Sequence, residues 1–301
     1  MKNLVRGALA LLICSLALPS QAAIRVLATT ADWAALTQEL GGERVDVYKA
    51  TTAMQDVHRV EAKPSLVARA RTADLLVANG AELEIGWLPI LQQESGNPKI
   101  QRGAPGYFEA TSVVTLVDKP EKFDRAMGDI HPLGNPHVQL DPRNVAAVAR
   151  ALTAKLAAID PAGADYYATR AADFGKRWSE AMVRWQAKAA PLKDLPVVVM
   201  HSDQAYLCRW LGMRQLASIE PKPGVPPTAG YLGQLVTRLA ATPPKLILLN
   251  AYNDPKAAKW LSNRTHVPTV VLPFSVGGSD AAKDLFGLFD DTIDKLLAAA
   301  R

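Results

Sequence analysis

Cysteine is nearly absent from the sequence, which contains only Cys14 and Cys208. Cys14 lies among the first 22 residues, which we predict to be removed, so Cys208 is the only cysteine expected in the mature chain. An intramolecular disulfide is then excluded, and an exported chain of this length must be stabilised by its hydrophobic cores. Cys208 stands in a helical apolar pattern, and we interpret it as a structural residue.

The sequence also lacks a long apolar run. Residues 1–22 combine early positive charge at Lys2 and Arg6, a short apolar stretch and small residues ending at Ala22. This pattern is typical of a secretory signal peptide cleaved after Ala22. No later segment approaches the ~20 uninterrupted apolar residues of a membrane-spanning helix. We therefore predict a soluble, exported protein; Cys14 follows Ile13 rather than a small residue, so no lipid anchor is expected.

Charge is not concentrated in any segment. The net charge of +5 falls to about +3 without Lys2 and Arg6, and the remaining basic residues are scattered rather than interleaved with aromatic ones. A nucleic-acid interface is therefore not predicted. The motifs HExxH, GxSxG and the Walker phosphate loop are also absent, which removes the sequence support for a helix-borne zinc protease, a serine hydrolase and a P-loop nucleotidase.

Alternating strand and helix patterns fill most of the chain. Near-continuous apolar strands such as 197–200 and 246–249 predict parallel sheets that are buried on both faces. The predicted fold class is α/β, with two Rossmann-like domains whose parallel sheets are joined by one long helix. We place the N-terminal domain at residues 23–160, the linking helix at 161–191 and the C-terminal domain at 192–301.

The linking segment has no strand signal, but its large apolar side chains recur at helical spacing. They are Tyr167, Phe174, Trp178, Met182 and Trp185. Steps of seven, four, four and three residues place them on one helical face. We interpret this face as packing surface that one rigid helix buries against both domains.

Three of the five histidines lie where strand patterns give way to loops or helices: His58, His137 and His201. His201 directly follows the strand VVVM, at the edge where open α/β sheets place their ligands. His137 lies between Pro136 and the helix start at Asp141. Neutral imidazoles are common protein ligands of first-row transition metals, so these residues together predict a metal site with ligands from both halves.

Four segments resemble, in the same order, the substrate-binding proteins of zinc and manganese ABC importers. They are DVHRVEAKPSLVARARTADLLVANGAELEIGWL, GNPHVQLDPRN, HSDQAYLCRWLGM and SIEPKPGVPPTAGYLGQL. The resemblance implies a periplasmic protein with two α/β domains, one rigid linking helix and a single metal ion bound between the domains. It assigns His58, His137 and His201 as metal ligands.

The fourth ligand departs from the pattern of the family, in which a carboxylate usually follows the last strand. Here Pro273, Phe274 and Ser275 occupy that position, and the first carboxylate is Asp280. We predict Asp280 as the fourth ligand if the turn at residues 277–278 folds the chain back. Glu61, Asp56, His131 and water remain alternatives.

A site rich in imidazole predicts Zn²⁺ in preference to Mn²⁺, because the harder manganese ion prefers oxygen-rich shells. The resemblance implies a non-enzymatic protein that passes the metal to an ABC permease in the inner membrane, and we expect it to act as a monomer. An exported zinc-dependent hydrolase and a metal-binding adhesin are the alternatives.

Overall fold

The computed structural model describes residues 23–122, 124 and 128–301. The predicted signal peptide, residues 1–22, lies outside them. The chain forms two four-stranded sheets, both entirely parallel. In the sequence, one sheet precedes a long central helix and the other follows it. The first sheet contains β1 (Ile24–Ala28), β2 (Val45–Lys49), β3 (Leu75–Ala78) and β4 (Tyr107–Glu109), and the second contains β5 (Pro196–Val199), β6 (Arg214–Ser218), β7 (Leu246–Asn250) and β8 (Thr269–Leu272).

The helices cover both faces of these sheets. They are α1 (Ala31–Gly41), α2 (Pro64–Thr72), α3 (Leu88–Ser95), α4 (Pro142–Ile159), α5 (Ala164–Lys188), α6 (Ala205–Leu211), α7 (Ala229–Ala240), α8 (Lys256–Thr265) and α9 (Leu285–Ala299). Within the described ranges, none has the length and apolar character needed to cross a bilayer. The predicted α/β class is confirmed.

The two sheets have equivalent strand orders, β2-β1-β3-β4 and β6-β5-β7-β8. Each order places the first strand of its half second in the sheet, beside the third. The four residues of β3 and the five of β7 are all buried, as expected for parallel strands covered by helices on both faces. All carboxyl ends within a sheet lie at one edge, and the loops leaving these edges supply the candidate site.

Helix α5 is the predicted linking helix, and it is a single element of 25 residues. Tyr167, Phe174, Trp178 and Trp185 are buried on it, while Met182 is partly buried against the same core. Their packing role is therefore confirmed. The indole N–H of Trp178 donates to the Pro142 carbonyl at 2.9 Å, and that of Trp185 donates to Asp290 Oδ1 at 2.7 Å. Helix α5 is thus fastened to both halves.

Cys208 lies on α6, is 3% exposed and is a free thiol. Burial, together with the negative charge of Asp203, raises the pKa of this thiol to about 12. A thiol that stays protonated at neutral pH is neither a good nucleophile nor a ready metal ligand. The structural role predicted for Cys208 agrees with this environment.

Candidate metal centre

Four histidines meet where the carboxyl edges of the two sheets face each other. His58 follows β2, His131 and His137 lie between β4 and α4, and His201 follows β5. The ring centroid of His58 is 5.4 Å from that of His137 and 5.8 Å from that of His201, and the last two are 5.7 Å apart. The structure therefore brings the three predicted histidines together from both halves of the chain.

The imidazole of His58 is oriented by Asp56. Asp56 Oδ1 accepts from the backbone N–H of His58 at 3.0 Å and lies 2.7 Å from its Nδ1. Burial opposes ionisation of Asp56, but the hydrogen bonds and charge of His58 lower the pKa of this carboxyl overall. Asp56 therefore fixes the tautomer in which Nε2 of His58 has a free lone pair, as outer carboxylates do for metal-binding histidines.

His137 is presented by a turn that is tied to its surroundings on both sides. Its backbone N–H donates to Asn135 Oδ1 at 3.1 Å, and the preceding carbonyl of Pro136 accepts from Asn79 Nδ2 at 2.9 Å. Asn135 in turn donates to the Ser202 carbonyl at 2.8 Å, which connects the turn to the second half. After the turn, Asp141 caps α4 by accepting from the backbone N–H of Arg143 at 2.9 Å, as predicted.

His201 is held by Glu220, which lies two residues after the end of β6. Glu220 Oε2 lies 2.6 Å from His201 Nδ1 and also accepts from the backbone N–H of Gly224 at 2.8 Å. Burial works to lower the pKa of His201, but the Glu220 hydrogen bond and the charge of Asp203 raise it to about 9. The contact with Glu220 occupies Nδ1, so a metal ion would bind His201 through Nε2 and displace the proton there.

His131 joins this cluster, although its loop allowed several paths in the sequence. Its ring centroid is 5.3 Å from that of His58 and 6.3 Å from that of His137, and these three residues can each offer a ring nitrogen within 4.8 Å of the others. His201 is outside that set of nitrogens, but its centroid is closer to His137 than His131 is. His201 therefore borders the other three rings, with its centroid 5.7 Å from that of His137 and 5.8 Å from that of His58.

Two of the four imidazoles have buried ring nitrogens without a hydrogen-bond partner. Among the described residues, both ring nitrogens of His137 and Nδ1 of His131 are buried and unpaired. Burial, with the nearby charges of His58 and His201, lowers the pKa of His131 to about 3 and holds that of His137 well below its usual value. Both rings are therefore neutral, and a metal ion would satisfy nitrogens that otherwise carry a desolvation penalty.

Asp280 is exposed in the loop between β8 and α9, and it is not among the described residues that bring ligand atoms together at this site. In its place near the site is Phe274, whose ring centroid is 5.8 Å from that of His137. Glu61 is also exposed, and Asp56 faces Nδ1 of His58. The structure therefore does not bring Asp280 or Glu61 to the histidine cluster.

Sequence reasoning did not identify Glu220. It lies 19 residues after His201, and the two come together because β5 and β6 pair in parallel and end at the same edge. Glu220 lies in SIEPKPGVPP, part of one of the four segments that carry the family resemblance, and this position was the available indication of a functional role. Asp203, two residues after His201, is also buried near the site, and its Oδ2 accepts from the Tyr252 hydroxyl at 2.7 Å.

Comparison with known protein families shows to which family the chain belongs. The model of the family described as zinc-uptake complex component A, periplasmic (ZnuA) matches residues 26–299. The chain belongs to the ZnuA family. The match covers both sheets and the linking helix, so the resemblance to substrate-binding proteins of metal ABC importers is confirmed for nearly the whole chain.

Relatives within and around the ZnuA family are named for two different metals. The manganese ABC transporter substrate-binding lipoprotein PsaA of Streptococcus anginosus is 21% identical over 281 residues, covering 91% of this chain and 88% of the relative. The high-affinity zinc uptake system protein ZnuA of Bacillus subtilis (strain 168) is 23% identical over 254 residues, covering 82% and 77%. Sequence similarity alone therefore does not show whether this chain binds zinc or manganese.

Solved structures share the fold. A crystal structure of ZnuA superimposes with a TM-score of 0.76 at 21% identity, covering 93% of this chain and all of the other. A cadmium-bound periplasmic metal binding protein from Candidatus Liberibacter asiaticus gives 0.76 at 17% identity, covering 92% and 99%. The predicted arrangement of two parallel-sheet domains and one long helix is thus the ZnuA fold.

Proposed function

We propose that this ZnuA family member captures Zn²⁺ between its two sheets and delivers it to the permease of an ABC importer, with His58, His137 and His201 as ligands. The observation that carries the proposal is His137, which is 2% exposed and has no partner for either ring nitrogen. An isolated buried imidazole would more favourably be replaced by an apolar side chain. Three other imidazoles surround His137, and a metal ion bound among them would satisfy its nitrogens.

The donor set favours zinc over manganese. Imidazole nitrogen suits Zn²⁺, whereas Mn²⁺ prefers carboxylate, carbonyl and water oxygens. Asp56 and Glu220 approach Nδ1 of His58 and His201, so these carboxylates orient ligands instead of supplying oxygen to the metal. The manganese-binding relatives therefore do not determine the metal of this chain.

The closed surroundings of the site support carriage rather than catalysis. A hydrolytic zinc ion keeps an open position for water, but His137 and His201 are 2% and 5% exposed. The ring of Phe274 lies beside His137 and restricts access on that side. An enclosed site suits a protein that binds and releases its metal unchanged.

Transport from the periplasm to the inner-membrane permease would use both halves of the molecule. We propose that the protein is a monomer with domains at residues 23–160 and 192–301, joined by residues 161–191. The strand positions support this division, since β4 ends at Glu109 and β5 begins at Pro196. A metal ligated from both domains would bias their loops toward one arrangement that the permease recognises.

Zinc titration of the metal-stripped mature protein by isothermal calorimetry tests this function. We expect one tight equivalent in the wild type and a large loss of affinity in His58→Ala, His137→Ala and His201→Ala. His266→Asn is the matched control, because His266 is exposed at the end of α8 and has φ 57°, which asparagine tolerates.

Two results would overturn the proposed function. One is the absence of a tight equivalent of zinc in both the wild type and the His266→Asn control. The other is unchanged zinc affinity in all three alanine variants. Tight zinc binding accompanied by turnover of an ester or amide would instead favour the exported hydrolase.

A further inference from the structure

We propose that His131 is the fourth metal ligand, so that four imidazoles and no carboxylate hold the ion. This inference rests on the proposed function and concerns the same site. It replaces the oxygen ligand that the family resemblance implied with a nitrogen from the loop between β4 and α4. The consequence is a neutral donor set with strong discrimination against manganese.

The distance between two ring nitrogens is the first observation. His58 Nε2 and His131 Nε2 are 3.3 Å apart. Two nitrogens bound to one zinc ion at ~2.0–2.1 Å in a tetrahedron are about 3.3–3.4 Å apart. The two rings therefore already have the separation of neighbouring ligands of a common ion, and His137 can place a nitrogen within 4.8 Å of both.

A direct N–H···N hydrogen bond between His58 and His131 is the alternative explanation of that distance. It would require one ring to donate from Nε2. A neutral His58 carries a single N–H, and that group is at Nδ1, where it donates to Asp56. The donor would then have to be His131 Nε2, leaving His131 Nδ1 as a buried acceptor without a partner. It would also leave both nitrogens of His137 unpaired, so the hydrogen bond explains less than a shared metal.

The backbone around His131 holds the residue at the cleft. Asp129, two residues earlier, donates its backbone N–H to the Pro223 carbonyl of the second half at 2.8 Å. On the other side, the His131 carbonyl accepts from Gly134 at 3.1 Å, and Asn135 donates to the Val117 carbonyl at 2.7 Å. A residue fixed on both sides, and on both halves of the protein, is placed as a ligand must be.

A left-handed turn after β3 faces the same ring. Gly80, Ala81 and Glu82 have φ of 95°, 50° and 63°, which is unfavourable for the two non-glycine residues. Glu84 stabilises the start of the turn by accepting from the backbone N–H groups of Asn79 and Gly80 at 2.8 and 3.1 Å. The backbone carbonyls of Ala81 and Glu82 lie near the His131 ring, although Nδ1 of His131 has no hydrogen-bond partner. Such carbonyls commonly orient the outer nitrogen of a ligand histidine.

The chain after β8 explains why a carboxylate does not take the fourth position. Asp32, at the start of α1, accepts from the Ser275 hydroxyl at 2.7 Å and from the Val276 backbone N–H at 3.0 Å. These bonds attach the loop to the first half and leave the ring of Phe274, not an acidic side chain, beside His137. Asp280 follows on the exposed side of the loop.

Zinc-edge X-ray absorption on the full mature protein counts the imidazoles directly. We expect the outer-shell scattering of four imidazole rings in the wild type and of three in His131→Ala, in which a water molecule takes the fourth position. Calorimetry should show at least about a tenfold loss of zinc affinity, since even outer-shell partners of ligands are worth 10–100-fold. Asp280→Asn is the matched control and should change neither readout.

Competition between zinc and manganese gives a second readout. In His131→Asp the selectivity for zinc over manganese should fall, because an oxygen ligand replaces a nitrogen. Circular dichroism of each metal-free variant checks that it is folded. Three imidazoles in the wild type, or unchanged affinity in a folded His131→Ala, would overturn the assignment of His131 while leaving the zinc-carrier function intact. A clear loss of zinc affinity in Asp280→Asn would overturn it in favour of the carboxylate.

Discussion

At the scale of single residues, the site depends on carboxylates that do not face the metal position. Asp56 and Glu220 each bind the Nδ1 side of one histidine, so each determines which nitrogen is available. Glu220 has a second contact, to the backbone of Gly224, and Gly224 accepts through its carbonyl from Arg59 at 3.2 Å. Arg59 is the neighbour of His58. The orienting groups of the two halves are thereby connected at the surface of the cleft.

Glu220→Gln should weaken zinc binding by about 10–100-fold, the usual effect of losing a partner that orients a ligand histidine. The neutral amide retains a hydrogen-bonding group for Gly224 but removes the charge that favours the donor form of His201 Nδ1. Calorimetry with metal-stripped protein measures the effect. Glu61→Gln is the matched control, since Glu61 is an exposed carboxylate. Equal affinities in the two variants would contradict an orienting role for Glu220.

Asp32 is a buried carboxyl that connects the halves and should make stability depend on pH. Burial raises its pKa from 3.8 to about 6, in opposition to the hydrogen bonds from Ser275 and Val276. Between these values the folded state holds the proton more tightly than the unfolded state. Stability contributed by protonated Asp32 is therefore present below pH ~4 and lost as pH rises through 6.

Asp32→Asn can accept from the Val276 backbone N–H through its amide oxygen and donate to the Ser275 hydroxyl through its amide nitrogen, but it cannot ionise. Relative to this variant, the wild type should lose up to about 3 kcal/mol of unfolding free energy between pH 4 and 7, from a shift of roughly two pH units. Urea unfolding of metal-free protein at several pH values measures the difference between the two. A difference that stays constant with pH would contradict the assignment.

At the scale of elements, α5 connects the packing of the two halves. Its buried face includes Trp178 and Trp185, whose ring centroids are 5.0 Å apart. Trp185 also lies 4.9 Å from the ring of Phe289 on α9. An uninterrupted helix buried on this face resists bending, because any kink would separate rings that pack together. Changes on metal binding should therefore be concentrated in the loops that carry the histidines.

Trp185→Phe should lower the free energy of unfolding by about 1–3 kcal/mol, because Asp290 loses a hydrogen bond and the smaller ring leaves a void. Trp185→Ala should lower it by about 3–5 kcal/mol. Val183, 72% exposed on the same helix, supplies the control: Val183→Ala should change stability by less than about 0.5 kcal/mol. If Trp185→Ala were as mild as this control, α5 would not be the packing element described.

The sequence was most informative where a signal is local. Strands β5 and β7 were predicted because consecutive apolar residues are buried on both faces, and the helix start at Pro142 followed from its aspartate cap. The edge strand β4 was not predicted, because only one of its residues is buried. The partnership of His201 with Glu220 and the position of His131 depend on strand pairing and loop path, which residue spacing does not determine.

At the scale of the whole molecule, one hydrophobic core passes through both halves. It includes Trp33 from α1, Trp178 and Trp185 from α5, Val197 from β5 and Phe289 from α9. A shared core means that neither half can expose its side of α5 without disturbing the other. We therefore expect the metal-free protein to unfold in one cooperative transition.

Zinc should raise the stability of this single unit, because the folded state alone assembles ligands from both halves. At a free zinc concentration 100 times the dissociation constant, the free energy of unfolding should increase by about 2.7 kcal/mol. Urea titration followed by tryptophan fluorescence measures it, since Trp178 and Trp185 report on the shared core. In His137→Ala the same zinc concentration should give little increase, while His266→Asn should behave as the wild type. Two separate transitions, of which zinc shifts only one, would show that the halves unfold independently and that the metal does not bridge them.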